Sequence, residues 1–250
     1  MALAHAGPVG RVRDDPGEIV GSAPVVDAGD RAQETRRILD ASRSIIEDDH
    51  FAYVSGDHGA GWIAKDLIFP ATANGDALGR MLAAAVGEYD AEIVCGPSTG
   101  GLIVSQWVAH HLGIPSVFAE HDPAWIRPAD AHAVHEMQGP FVLRRGYDEM
   151  VQGRRVLVVD DVVNTGHSVR QTAEAARAAG SDVVACAAFV DRGNVDAAGI
   201  GVPIYGFLLQ ERIPAWPAAD CRLCRDGVPM STRYAHGKEW VAAHGGPSHS

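Results

Sequence analysis

The feature that most constrains this chain is VLVVDDVVNTGHS at residues 156–168. Its first four residues are apolar and mostly β-branched. A run of that kind belongs inside a parallel sheet covered by helices on both faces. Two aspartates follow at once, Asp160 and Asp161, then a loop of small residues and an amphipathic segment. In an open parallel sheet, ligands bind beyond the carboxyl ends of the strands. The sequence therefore brings two like charges to the place where a ligand can compensate them. We read both acids as lying at a solvent-facing strand end.

The loop defines the rest of that ligand. Asn164, Thr165, Gly166, His167 and Ser168 lead into a helix, whose first N–H groups lack intrahelical partners and whose dipole favours an anion. Thr165 and Ser168 add hydroxyl donors, and Gly166 permits close backbone approach. A phosphate monoester suits this half. Ionised carboxylates only accept hydrogen bonds, so the acids suit hydroxyls instead. A sugar phosphate satisfies both. Two acids alone would equally suit a bare Rossmann-like strand end; their spacing to the small loop is what favours the sugar phosphate.

Strands and helices alternate around this unit. EIVCG at 92–96 reads as a strand, PSTGG at 97–101 as a loop, and LIVSQWVAHHLG at 102–113 as a helix closed by Gly113. PSVFAE, PFVLRRG, SDVVACAAFVD and, last, VPIYGFLLQ read as further strands, with a helix over 168–180. The alternation predicts an α/β fold with a doubly wound, mostly parallel sheet. Upstream, Ile38, Leu39, Ser42, Ile45 and Ile46 have helical spacing within 31–48. Residues 51–64 suggest two short strands with a tight connection, and 74–87 another helix. Residues 1–30 read as a non-structural extension. Residues 31–240 form the domain, with a small hood lobe from about 31–70 plus the C-terminal segment, a core over about 71–212, and a tail at 241–250.

Charge and cysteine content narrow the function. The formal net charge is −11, which argues against non-specific binding to nucleic acid or to an anionic membrane. No run of about 18 apolar residues suggests a membrane span, and the N-terminus has no unbroken apolar stretch of signal-peptide type. Cys95 and Cys186 lie in apolar strand-like runs. Cys221 and Cys224 form one C-x-x-C, which is half a metal site, a redox pair or neither; His236 is the one histidine near it in sequence. The reducing cytoplasm is the expected compartment.

The stretch VLVVDDVVNTGHS resembles the phosphoribosyl pyrophosphate signature of type I phosphoribosyltransferases, in which an apolar strand and two acids precede a Thr/Gly/Ser loop. The resemblance implies that Asp160 and Asp161 hold the ribose hydroxyls in catalysis and that residues 164–168 cradle the 5′-phosphate. Three more segments are similar to orotate phosphoribosyltransferases: FAYVSGDHGAGWIAKDLIF at 51–69, VCGPSTGG at 94–101 and FVDRGN at 189–194. They imply a pyrophosphate loop of Pro97, Ser98, Thr99, Gly100 and Gly101, and a base site of Arg192, Phe51 and Lys65. The expected reaction transfers a 5-phosphoribosyl group to orotate and releases pyrophosphate. Mg²⁺ would be carried by phosphoribosyl pyrophosphate, with no dedicated protein ligands, and the protein would be a homodimer. Several residues depart from the family pattern. Asn164 stands where Thr is usual, His167 where Gly is common, and Val54 where orotate enzymes often carry Lys. The hood loop at 121–139 lacks lysine, leaving Arg127, Arg144 and Arg145, with His121, His132 and His135, as candidate cations. Transfer to another base or a specialised heterocycle, and a non-catalytic phosphoribosyl pyrophosphate-binding regulator, are the alternatives.

Overall fold

A computed structural model describes residues 27–53, 55–126 and 139–250. Helix α1 (Ala28–Ala41) begins at Asp27, whose carboxylate accepts from the Gly29 N–H. It stops earlier than the apolar spacing predicts. The Ser42 hydroxyl donates back to the Ile38 carbonyl at 2.8 Å, and Arg43 turns into the left-handed region at φ 54°. Ile45 and Ile46 therefore leave the helical face and form strand β1 (Ile45–Ile46). Residues 51–64 carry three short strands where two were predicted: β2 (Phe51–Ala52), β3 (Asp57–Gly59) and β4 (Trp62–Ile63). β2 and β3 pair antiparallel as a hairpin, while β4 turns back to pair with β1.

The core follows helix α2 (Thr72–Val86). Its elements are β5 (Ile93–Pro97), α3 (Gly100–Leu112), β6 (Ser116–His121), β7 (Phe141–Val142), α4 (Tyr147–Val151), β8 (Arg155–Val163), α5 (His167–Ala178), β9 (Asp182–Asp191), α6 (Ala197–Ile200) and β10 (Tyr205–Gln210). The sheet order is β10-β9-β8-β5-β6-β7, parallel throughout except for β7. Burial along β8 explains why. Leu157 and Val159 pack into one apolar cluster with α2 and α3, and Val156 and Val158 pack into a second with α5. Successive residues of a strand face opposite sides, so an unbroken apolar run fills both layers. Full burial contributes roughly 1.5–3 kcal/mol per side chain of this size before entropy is counted.

β8 does not end at the aspartates. It continues through Val163, with Asp160 opposite Ala188 and Val163 opposite Asp191 in β9. Nor is 202–210 the last strand. The chain goes on through β11 (Ala215–Pro217), α7 (Arg222–Arg225), β12 (Met230–Ser231), α8 (Gly237–His244) and β13 (Ser248–His249). β11 pairs antiparallel with β3. The Ser231 N–H donates to the His50 carbonyl and the His236 N–H to the Ala52 carbonyl, so the C-terminal segment lies against the β2–β3 hairpin. The stretch read as a tail includes β13, which pairs with β12. Among the described residues, no helix is long and apolar enough to cross a membrane.

Candidate active site

The carboxyl ends of β5, β8 and β9 bring three loops together. At the centre are Asp160 and Asp161, and they are not solvent-facing: Asp160 is 7% exposed and Asp161 0%. The expectation of an exposed strand end fails because β8 carries the pair two residues inside its own end. The Asp160 carboxylate accepts from the Asp161 N–H at 2.9 Å. Asp161 Oδ1 accepts from the Val162 N–H at 2.6 Å and from the Lys65 ammonium at 3.2 Å. Asp161 Oδ2 is buried with no hydrogen-bond partner among the described residues. Burial raises both carboxyl pKa values. The neighbouring Asp161 charge adds to the rise for Asp160, pushed up to about 8, and Lys65 opposes it in both. Lys65 is itself shifted up, because attraction to the two acids outweighs its own desolvation.

The phosphate-type loop adjoins this pair. Asp160 and residues 162–169 line a cavity of about 110 Å³ at the N-terminus of α5. Gly166 caps that helix in the left-handed region at φ 73°, where a Cβ would also press on Ile200 and Val195. All five expected residues, Asn164 to Ser168, line the cavity.

The pyrophosphate-type loop lies on the other side of the acids. Pro97 ends β5, and Gly100 and Gly101 open α3. A Cβ on Gly100 would overlap Asp161 Oδ2 and approach the Lys65 ammonium, so the loop, the acid and the lysine meet at one point. The Ser98–Thr99 peptide is cis. The Ser98 N–H donates to the Ala119 carbonyl at 2.8 Å, which commits it to the sheet. The first amides of α3 remain the donors this loop presents to an anion.

A larger cleft of about 510 Å³ opens beside the phosphate cavity and shares Asn164 and Thr165 with it. Arg192 lines this cleft at 6% exposure. Its guanidinium lies 5.6 Å from the Tyr53 ring centroid and donates to the Ile213 carbonyl, while its Nε has no partner. Among the described residues no carboxylate pairs with it. Desolvation lowers its pKa, opposed chiefly by Tyr53. The cleft also contains Tyr53, Asn194 and Arg212, none of them among the expected site residues. Asn194 donates to the Asn164 side-chain oxygen at 2.6 Å, joining the phosphate loop to the cleft wall. Tyr53 and Asn194 lie inside the segments that resemble orotate phosphoribosyltransferases; Arg212 lies outside them and carries no motif.

Three expectations are corrected. Phe51 is fully buried and packs on Trp62 inside the hood, so Tyr53, two residues on, takes the place at the cleft. In a strand those two side chains share a face, and the sequence could not tell which of them reached the opening. Lys65 faces Asp161 and Gly100 and does not line the base-type cleft. Arg144 and Arg145 both pair with Glu120 on β6 and line neither cavity. His121 stacks on Phe141 at the same edge. Arg127, His132, His135 and Val54 lie outside the described residues.

Comparison with known proteins identifies the family and the fold. The phosphoribosyl transferase domain family matches residues 69–198. The chain is 35% identical over 196 residues to an orotate phosphoribosyltransferase of Thermotoga maritima, covering 78% of this chain and 94% of that relative. It is 37% identical over 177 residues to one from Bartonella tribocorum, covering 69% and 81%. Among solved structures, orotate phosphoribosyltransferase of Mycobacterium tuberculosis superposes with a TM-score of 0.53 at 23% identity, over 72% of this chain and 95% of that one. Adenine phosphoribosyltransferase of Thermoanaerobacter pseudethanolicus superposes with 0.55 at 16% identity, over 72% and 99%, which speaks for the fold alone.

Proposed function

The chain belongs to the phosphoribosyltransferase family, in its orotate branch, and from that premise we propose that its cleft transfers the 5-phosphoribosyl group of phosphoribosyl pyrophosphate to a ring nitrogen of orotate. The bond from ribose C1 to the diphosphate oxygen breaks, a bond from C1 to the nitrogen forms, and pyrophosphate leaves with the electron pair. The observation that carries this reading is the position of the buried acids. They lie between an anion-type loop on each side and next to a cleft holding a guanidinium that no carboxylate among the described residues pairs.

The roles follow from that arrangement. Residues 164–168 hold the 5′-phosphate with helix amides and hydroxyls. Asp160 and Asp161 accept the ribose hydroxyls and, when ionised, stabilise the positive charge that develops at C1. The amides of Gly100 and Gly101, with Lys65 beside them, receive the diphosphate. Arg192 offers a two-pronged donor to the carboxylate of orotate, which would supply a counter-charge to a buried cation that no carboxylate among the described residues pairs and whose Nε has no hydrogen-bond partner. Tyr53 covers that guanidinium and forms one wall of the base cleft. The chemistry needs no protein nucleophile; the protein supplies position and charge.

The residues fit Mg²⁺. The Asp160 carboxylate lines the phosphate-type cavity, the unpartnered Asp161 Oδ2 lies against Gly100 of the pyrophosphate-type loop, and no cysteine lines that cavity among the described residues. The diphosphate and ribose oxygens would hold the ion, and when bound it offsets charge on the leaving pyrophosphate. A homodimer belongs to the same reading and is supported by the apolar Phe207 and Ile204, exposed on and beside the edge strand β10. A reducing, cytoplasmic setting suits the four free cysteines.

The test is pyrophosphate release from phosphoribosyl pyrophosphate and Mg²⁺ across a panel of bases. Orotate should give turnover and adenine none. Release with a different base alone would move the assignment to that base. Tight phosphoribosyl pyrophosphate binding with no release from any base would make the protein a sensor, the reading that its lysine-free segment at 121–139 favours.

A further inference from the structure

On the far side of the hood from the cleft, four side chains meet that the reaction does not use. We propose that His50, His58, Cys221 and Cys224 form a structural zinc site that fastens the C-terminal segment to the β2–β3 hairpin. One donor atom from each residue lies within 4.8 Å of all the others. His50 Nε2 is 3.2 Å from His58 Nδ1, and Cys224 Sγ is 3.2 Å from His58 Nδ1. Cys221 Sγ and Cys224 Sγ lie 3.5 and 3.6 Å from His50 Nε2. Tetrahedral zinc with Zn–N near 2.05 Å and Zn–S near 2.3 Å sets these edges at about 3.3 Å for N–N and about 3.6 Å for N–S. Four of the six edges already stand within a few tenths of an ångström of those of that tetrahedron.

The chemistry agrees with the distances. Two thiolates and two imidazoles are a soft-to-borderline donor set that suits zinc and not Mg²⁺ or Ca²⁺. His50, His58 and Cys221 are buried and Cys224 is half-buried; with four protein donors the tetrahedron would be complete, leaving no position for substrate. His50 Nδ1 is 2.9 Å from the Val228 carbonyl. Donation there places the ring proton on Nδ1 and leaves the Nε2 lone pair aimed into the cluster, the usual outer support of a metal-bound histidine. His58 is braced edge-on by Trp240 of α8. His236, the histidine nearest the C-x-x-C in sequence, is not in the cluster; its backbone caps α8 instead.

The fold has a need for such a link. β2, β12 and β13 are two residues long each, and β3 and β11 three. Strands this short do not hold a hairpin and a terminal extension together unaided. Metal bound only by the folded arrangement contributes its binding free energy to folding. The metal would also reach the base cleft through one strand. Asp57 lines the cleft, while His58, its neighbour on β3, points to the cluster.

The test starts with untagged full-length protein purified without chelator. Elemental analysis should find about one zinc per chain, and X-ray absorption about two sulfur ligands at 2.3 Å and two nitrogens near 2.0–2.1 Å. Cys221→Ser/Cys224→Ser and, separately, His58→Asn should each lower the zinc to about one tenth or less. If those variants fail to fold, the wild-type protein still decides. A mercurial should release the zinc as two thiols react, and Co²⁺ substitution should give the visible bands of a tetrahedral thiolate site. The proposal is overturned by protein that retains no zinc, by a Cys221–Cys224 disulfide, or by zinc with only oxygen and nitrogen ligands. None of these readouts depends on turnover, so this site and the proposed activity stand or fall separately.

Discussion

At the scale of single residues, Asp160 is the most informative group. Its pKa is raised in the folded protein from 3.8 to about 8, mainly by desolvation and then by Asp161. Between those values the unfolded chain is ionised while the folded protein keeps its proton, so this group makes stability fall as pH rises from about 4 to about 8. Asp160→Asn removes that dependence. Its melting temperature relative to wild type should therefore rise steadily over that range and level off above it, as read by thermal scans; a pH-independent difference would show that Asp160 is not desolvated. Ribose hydroxyls prefer the ionised acid. Wild-type affinity for phosphoribosyl pyrophosphate should thus climb as pH approaches 8, and calorimetry should find that slope missing in the variant. Arg192→Lys keeps the charge but loses the two-pronged donor. Orotate kcat/KM should fall roughly 10- to 100-fold, the scale of one or two charge-assisted hydrogen bonds, with the KM for phosphoribosyl pyrophosphate within about twofold. Equal loss for both substrates would place Arg192 outside the base site.

Elements position these residues, and two glycines show how closely. Gly100 opens α3 where a side chain would overlap Asp161 Oδ2. Gly100→Ala should reduce turnover at least about 100-fold, because displacing the acid by an ångström misplaces the reacting ribose. The rigid sheet should keep the loss in melting temperature small, and a collapse in stability matching the lost activity would contradict this. Gly166 differs in kind. Its φ of 73° and its contact with Ile200 and Val195 make Gly166→Ala a strain on the α5 cap. The expected cost is about 1–2 kcal/mol in chemical denaturation, together with a raised KM for phosphoribosyl pyrophosphate. Secondary structure at this scale was legible wherever one period ran unbroken, as in the apolar strand 156–159 and the helix over 168–180. The apolar spacing misleads at 42–46, where one serine hydroxyl and a left-handed arginine end a helix whose spacing continues into a strand.

At the scale of the whole molecule, the hood and the sheet should differ in rigidity. Chelation of the proposed zinc should speed amide exchange in 50–63 and 215–249 while β5, β8 and β9 remain protected, a contrast hydrogen-exchange mass spectrometry reads directly. Uniform acceleration would mean that the link supports the entire fold. The same division separates what each level of description decides. The sequence by itself determined the doubly wound sheet and the strand–acid–loop–helix unit, because an apolar strand, two acids and a helix N-terminus are neighbours along the chain and their relation is local. Only the tertiary structure decided the rest. It buried the acids by extending β8 past them, turned Lys65 from the base cleft to Asp161, and set Tyr53 against Arg192 across 139 residues. It also brought His50 to Cys221 across 171 residues. Contacts between distant segments depend on which face of which strand meets which neighbour. Local periodicity holds no record of that pairing, and it emerges only when the hood closes over the sheet.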